Sequence, residues 1–197
     1  VHSAAILVAL LAAGRATRFG GGKVDALCAG RPLAIWAIEA VERAGLAPGV
    51  CVTGPQEPHF LSRAAGWERV VNPQPQDGLA GSLAVAAKVA EQRRSAALLV
   101  VLADMPLVTP ALLVQLAAQD GAAATDHGDG RRGVPALLPR ALFPALAEVS
   151  GDRGASALLA TLPRLVLLEP EPGSLLDVDT PADLARAEAM LRGRDPG

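Results

Sequence analysis

Three carboxylates and three cations in this chain have the types and spacing to handle phosphate. Asp104 lies one residue past the apolar run 98–103, and Asp177 and Asp179 flank Val178 in Asp177-Val178-Asp179-Thr180-Pro181. A hard divalent cation takes one or two carboxylates together with phosphate oxygens. Side chains alternate along an extended segment, so Asp177 and Asp179 share a face while Val178 turns into the core. Two like charges on one face favour a cation between them. The local alternatives are Asp104 as a turn residue before a helix and Asp179 as a cap for the helix opening at Pro181. The cations Arg15, Arg18 and Lys23 sit in Leu11-Ala12-Ala13-Gly14-Arg15-Ala16-Thr17-Arg18-Phe19-Gly20-Gly21-Gly22-Lys23, directly after an apolar run. Glycines there let backbone N–H groups turn toward phosphate oxygens, and the cations neutralise them. The combination suits a nucleoside triphosphate.

The loop fits neither common glycine pattern. Gly14 is followed by five non-glycine residues, which excludes G-x-G-x-x-G, and Thr17 and Val24 exclude G-x-x-x-x-G-K-[ST]. His2, His59 and His127 show no ligand spacing and read as surface residues, and no Ser-His-Asp or Cys-His arrangement is evident. The net charge of −2, with 3% aromatic residues and no Tyr, argues against a nucleic-acid partner. Cys28 and Cys51 make neither a disulfide framework nor a metal spacing, so a reducing cytoplasm is expected. The apolar run 4–13 lacks a preceding cationic segment and is too short to span a bilayer, so no membrane association is expected.

The elements that must position these residues alternate between apolar strand-like runs and helical patterns. At 197 residues and 51% apolar, the chain reads as one α/β domain, 1–197, with a Rossmann-like, mostly parallel mixed sheet covered by helices. Strands are expected at 4–10, 50–53, 68–71, 97–102, 122–125, 134–138, 165–168 and 175–178. Helices are expected from Pro32 to Gly45, over 82–94, from the Thr109 cap to 119, over 140–148 and 155–161, and from Pro181 to 191. Asp104 then falls at the carboxyl end of a central strand, where open α/β sheets bind ligands. Gly81 and Ser82 would open a helix whose N-terminus could receive an anion, with Ser82 as its cap.

Leu11, Ala12, Ala13, Gly14, Arg18, Phe19, Gly20 and Lys23 match the signature L-A-A-G-x-x-x-R-[FM]-G-x-x-K. On these residues the chain resembles the MobA-like nucleotidyltransferases, a family that includes the enzymes attaching CMP or GMP to molybdopterin. The resemblance extends over 6–187 through Asn72-Pro73 to Ser82-Leu83, Ser150-Gly151-Asp152-Arg153-Gly154-Ala155 and Asp177 to Leu184, read as D-x-D-T-P-x-D-L. The chain departs from it at Gly133-Val134-Pro135, where many members carry G-H-P, and at Val24-Asp25-Ala26-Leu27.

The resemblance implies Mg²⁺ held by Asp104 and one of the later pair, Asp179 more than Asp177. It implies nucleotide contacts from Leu11, Ala12, Ala13, Gly14, Lys23, Thr53, Gly54, Asp77, Gly81 and Ser82, with Thr53-Gly54 at the base edge. Arg153 would suit a phosphate or acidic substrate. Arg15, Arg18, Lys23 and Asp104 would then be the catalytic set. An acceptor phosphate would attack the α-phosphorus, and the cations would stabilise the departing pyrophosphate. Ala13 resembles the cytidylyl-transferring members, which favours CTP, with molybdopterin as acceptor and a molybdoenzyme maturation factor as a protein contact. The alternatives are a sugar- or polyol-phosphate nucleotidyltransferase and a nucleotide-sensing protein without turnover.

Overall fold

Strands with apolar residues on both parities need a sheet covered on both faces, and the chain folds that way. The computed structural model describes residues 6–14, 18–148, 159–162 and 164–194. Its strands are β1 (Ile6–Leu11), β2 (Leu27–Cys28), β3 (Arg31–Pro32), β4 (Val50–Thr53), β5 (Glu68–Val71), β6 (Ala97–Leu102), β7 (Ala123–Asp126), β8 (Arg132–Pro139) and β9 (Val166–Leu168). Seven of them form one sheet in the order β5-β4-β1-β6-β8-β7-β9, and β2 and β3 make a separate hairpin. β1 pairs in parallel with β4 and β6, β4 with β5, and β7 with β9; β8 runs antiparallel to both β6 and β7. The mostly parallel mixed sheet expected from the sequence is therefore present.

The helices are α1 (Leu33–Arg43), α2 (Gly78–Gln92), α3 (Pro110–Ala117), α4 (Phe143–Ala147) and α5 (Pro181–Arg194). Strand alternation divides the core between the two faces. Val8, Leu10, Leu99 and Val101 pack with Ile38 and Val41 of α1 and Leu113 and Leu116 of α3. Leu7, Ala9, Leu98 and Val100 pack with Leu83 and Ala87 of α2 and Phe143 and Leu146 of α4. A third apolar group lies off the sheet: Cys28, Leu33, Leu107, Val178, Ala187 and Leu191, with Phe19 and Trp36 against it. No helix among the described residues is long and apolar enough to cross a membrane.

Several boundaries differ from the sequence reading. The β2–β3 hairpin escapes notice because its turn residue Ala29 takes φ +49° beside Gly30 at +79°, and alanine carries no turn signal. Pro32 is the residue before α1 rather than its first residue, because its extended backbone (ψ 138°) still belongs to the hairpin. α2 begins at Gly78, so Gly81 and Ser82 lie inside its first turns instead of opening it. The stretch 175–178 is not a strand; one backbone bond, from Val178 N–H to the Asp104 carbonyl (3.0 Å), ties it to the end of β6. Of the expected helix 155–161, only 159–161 is described, and it is helical. Arg15 and the segment from Ser150 to Ala155, with Arg153, lie outside the described residues.

Thr109 caps α3 by accepting the Leu112 N–H at 3.3 Å, with Pro110 at the first helical position. At α5 a reciprocal cap forms between Thr180 and Asp183, across the four residues Thr180-Pro181-Ala182-Asp183: Thr180 N–H donates to Asp183 Oδ2 (2.9 Å) and Asp183 N–H to Thr180 Oγ1 (3.2 Å).

The approach of β4 to β1 is set by Gly49, where a Cβ would meet the Val8 carbonyl oxygen at 1.9 Å. Gly49→Ala must push these strands apart, at a cost of about 1–3 kcal/mol for overpacking. The expected fall in melting temperature is about 2–12 °C for a chain of this size. Gly121→Ala, where a Cβ meets nothing within 4 Å, should leave it nearly unchanged. Thermal melts followed by circular dichroism make the comparison.

Candidate active site

Two distant parts of the chain deliver acidic residues to one point. β6 ends at Leu102, and its exit carries Asp104 past the sheet edge; the 3.0 Å bond from Val178 N–H to the Asp104 carbonyl sets the later segment alongside. Val178 is fully buried in the third apolar group, so its neighbours Asp177 and Asp179 turn outward toward Asp104. Carboxylate oxygens of Asp104, Asp177 and Asp179 lie within 4.8 Å of one another. The sequence reading left open which of the later pair joins Asp104; the geometry brings both.

Three carboxylates this close repel unless cations stand among them. Lys23 does so, although the residue is only 6% exposed: its Nζ is 2.6 Å from Asp104 Oδ2 and 3.1 Å from Asp179 Oδ1. Burial alone would lower the pKa of its ammonium, but Asp104 and Asp179 outweigh that and hold it above the usual value. Arg18, mostly exposed, reaches Asp179 Oδ2 at 3.3 Å. The loop is aimed this way by Gly20, Gly21 and Gly22, whose φ values of +92°, +97° and +60° side chains rarely adopt. Phe19 packs against the third apolar group, to which Val178 also belongs, so the cationic loop and the acidic segment share one apolar anchor. On the far side of Lys23, Asp25 accepts the backbone N–H groups of His59 (3.0 Å) and Phe60 (2.7 Å), which fixes the loop's exit.

The cluster has the chemistry of a divalent-cation site. Asp104 Oδ1 is buried and has no hydrogen-bond partner among the described residues, an expensive state for a carboxylate oxygen that a cation would relieve. Oxygen donors alone, three of them anionic, suit a hard ion such as Mg²⁺ or Mn²⁺.

Beside the cluster lies a cleft of about 350 Å³, lined by Ala12, Ala13, Gly14, Gly21, Gly22, Thr53 and Gly54 among others. Here the structure gathers the glycine loop with the end of β4. Leu11 is buried in the sheet core behind it. Asp77, Gly81 and Ser82 are absent from the cleft lining. The hydroxyl of Ser82 donates to the Gly78 carbonyl and accepts from Asn72 Nδ2, so it secures α2 to the β5 exit and caps nothing. A Cβ at Gly81 would meet Asp77 Cβ at 2.9 Å, which shows that glycine is needed there for packing.

A second cleft, of about 540 Å³, opens on the other side of Asp177 between Leu79, Met105, Val134, His127, Arg131 and Arg132. The sequence reading took His127 for a surface residue, but its ring is half-buried. Nε2 lies 2.8 Å from the Val134 carbonyl, and the ring packs so closely on Gly133 that a Cβ there would sit 2.5 Å away. A further cavity, of about 360 Å³ between Trp36, Glu39, Thr109 and Leu191, holds none of the three acidic residues. The buried thiols of Cys28 and Cys51 are pushed up by burial to about 11 and about 12, which leaves them protonated and unreactive near neutrality.

A family model, the MobA-like NTP transferase domain, matches residues 8–166. The chain belongs to the MobA-like NTP transferase family. Solved structures agree on the fold. A nucleotidyl transferase from Methanothermobacter thermautotroptrophicus superposes with a TM-score of 0.81 at 21% identity, covering 97% of this chain and 99% of that one. Rv0371c from Mycobacterium tuberculosis, solved in complex with manganese, gives 0.69 at 25% identity, covering 94% and 98%. The 4-diphosphocytidyl-2C-methyl-D-erythritol synthase of Anaerococcus prevotii gives 0.73 at 12% identity, covering 96% and 97%. A comparison with curated proteins returns no match. In this MobA-like transferase the cationic loop, the acidic cluster and both clefts meet at the carboxyl ends of β1, β4 and β6.

The crowding bears most on Asp177. Although Asp177 is exposed as a residue, the loss of water around its carboxyl group, then the like charge of Asp104, raise its pKa to about 7 despite the opposing pull of Lys23. With a folded pKa near 7 and an ordinary value of 3.8, the folded protein binds more protons than the unfolded chain between these limits. The contribution of Asp177 to metal-free stability therefore falls as pH rises from about 4 to about 7, and stays lowered above that. Asp177→Asn removes the conflict. In EDTA the variant should melt above wild type at pH 8, and the difference should vanish toward pH 4. An equal difference at both pH values would show that the carboxylate is not in conflict with its neighbours.

Proposed function

We propose that the chain, acting as one domain, is a cytidylyltransferase that moves CMP from CTP to the phosphate of molybdopterin with Mg²⁺ as its metal. The observation that carries this reading is the acidic cluster with Lys23 inside it, set between a cleft at the glycine loop and a second cleft beyond Asp177. The first cleft takes the nucleotide, with Ala12, Ala13 and Gly14 close to the base and sugar and Thr53-Gly54 at the base edge. The second takes the acceptor: its Leu79, Met105 and Val134 wall suits an apolar or planar body, and Arg131 and Arg132 suit a phosphate. Two protonated, unpaired thiols suit a reducing, cytoplasmic setting.

Asp104 and Asp179 are the proposed metal ligands, and Asp177 completes the set. Bound there with the triphosphate, Mg²⁺ supplies charge neutralisation and alignment of the α-phosphate. An oxygen of the acceptor phosphate forms a bond to the α-phosphorus, and the bond from that phosphorus to the bridging oxygen of the β-phosphate breaks, releasing pyrophosphate. A phosphate monoester is already ionised at pH 7, so the chain's residues need not remove a proton. Lys23 and Arg18, with Arg15 from the same loop, are placed in the sequence to meet the β- and γ-phosphates. With a divalent ion held by Asp104 and Asp179, the Lys23 ammonium that now pairs with them would be free to meet those phosphates. The manganese bound by the mycobacterial relative supports a divalent cation at this fold's site.

Two measurements test the reading. Asp104→Asn should keep the circular dichroism spectrum and lower pyrophosphate release from CTP and molybdopterin by at least about 10²-fold, since the metal loses its main anionic ligand. Wild-type turnover at saturating Mg²⁺ would dismiss Asp104 from the site. In a thermal-shift panel of CTP, GTP, ATP, UTP and NAD with Mg²⁺, CTP should give the largest shift. At 100 times the dissociation constant, stabilisation of about 2.7 kcal/mol corresponds to roughly 5–11 °C. A larger shift with GTP would reassign the base, and a shift with NAD alone would sink the triphosphate reading.

A further inference from the structure

The wall of the nucleotide cleft at the end of β4 is held from behind by one guanidinium. Arg69, on β5, donates through Nε to Thr53 Oγ1 (3.0 Å), through Nη2 to the carbonyls of Gly54 (3.2 Å) and Pro55 (2.7 Å), and through Nη1 to Glu57 Oε2 (3.1 Å). The Thr53 hydroxyl is engaged on its other side too, donating to the Gly54 carbonyl at 3.0 Å. The Thr53 carbonyl accepts the Asn72 N–H at 2.7 Å, also from the β5 side. Every oxygen that 53–55 could offer is therefore drawn toward β5.

What remains for the cleft follows from peptide geometry. These peptides are trans, since the only cis bond among the described residues is Val134-Pro135. Across a trans peptide the C=O and N–H point in opposite directions. With the Thr53 carbonyl turned to Asn72, the Gly54 N–H faces the other way. Pro55 has no N–H. With the Pro55 carbonyl turned to Arg69, the Gln56 N–H likewise faces away from it. Neither N–H has a backbone partner among the described residues, and Gly54, Pro55 and Gln56 line the cleft opposite Ala12 and Ala13. The backbone of 54–56 thus presents donors here, its Gly54 and Pro55 carbonyls being held by Arg69, while the Gln56 and Glu57 side chains complete the lining.

We propose that Arg69 is a positioning residue for base specificity: by holding the wall's oxygens from behind, it selects a base that offers adjacent acceptors and rejects one that offers adjacent donors. Cytosine presents O2 and N3, both acceptors. Guanine presents N1–H and N2–H₂ on the matching edge, and these find no acceptor in the backbone of 54–56 while Arg69 holds its carbonyls. The inference rests on the reading of the 350 Å³ cleft as the base site. It reaches the same base as the Ala13 resemblance by an independent route.

The test is the ratio of CTP to GTP affinity with Mg²⁺, measured by calorimetry for wild type, Arg69→Met and Arg69→Lys. Wild type should prefer CTP. Arg69→Met frees the Gly54 and Pro55 carbonyls to accept guanine's N–H groups, so the preference should shrink by at least about fivefold, one net hydrogen bond's worth. Arg69→Lys retains one donor head and should fall between the two; it also keeps the test alive should the methionine variant not fold. A ratio unchanged within about twofold in a folded variant, with both nucleotides weakened together, would reduce Arg69 to a brace and overturn the inference. A wild-type preference for GTP would overturn both the inference and the CTP assignment. Binding of neither nucleotide would overturn the reading of the cleft itself.

Discussion

The arrangement depends on holding three carboxylates within 4.8 Å of one another in a protein whose own cations must make that tolerable. Such a cluster is unstable by itself, and Lys23 is what the fold supplies against it. The buried ammonium stands between Asp104 and Asp179, so loop and cluster define each other's position. Much of the surrounding architecture then has a reason. The three left-handed glycines bend the loop back over the sheet edge, Asp25 pins its far end to His59 and Phe60, and Val178 anchors the acidic pair from below.

The sheet contributes by direction as much as by packing. β1, β4 and β6 run in parallel, so their carboxyl ends bring the glycine loop, the Thr53-Gly54 wall and Asp104 out on one edge. β7, running antiparallel to β8 and so in the direction of β6, brings the chain to that same edge, and the β7–β8 turn there carries His127, Arg131 and Arg132 into the second cleft before β8 runs back. One edge thus receives two clefts with the acidic residues between them. That is the geometry a transfer between two substrates requires.

Much of this was legible from residue patterns because the patterns are physical. Apolar runs of strand length ahead of a Gly or Asp located β4 and β6 to the residue and the carboxyl end of β1 to within one, and the Thr180–Asp183 cap was readable from its spacing. The alternation around Val178 correctly put Asp177 and Asp179 on one face, although the segment is no strand. The failures share a cause: the deciding partner is distant in sequence. Nothing near Asp25 announces that it accepts two N–H groups from 59 and 60, nor near Arg69 that it gathers the oxygens of 53–55. Ser82 looks like a helix cap because Ser often is one; only the position of Asn72 shows its hydroxyl to be engaged inside α2. His127 seemed solitary because its neighbours Gly133 and Val134 come from the other arm of a hairpin.

The third apolar group, lying off the sheet, has a consequence for how the molecule comes apart. Its buried members come from the β2–β3 hairpin, the start of α1, the stretch after Asp104, Val178 and α5, and none belongs to the seven-stranded sheet. Regions that share few apolar contacts with the main core open with a smaller free energy than global unfolding. Phe19 packs against this smaller unit and Val178 belongs to it, so the apolar link between the cationic loop and the acidic segment lies there rather than in the sheet. Amide hydrogens of α5 and the hairpin would then exchange in step with one another and ahead of those in β1 and β6. The apolar footing shared by the cationic loop and the acidic segment would in that case loosen as a unit of its own, apart from the core that packs on the sheet.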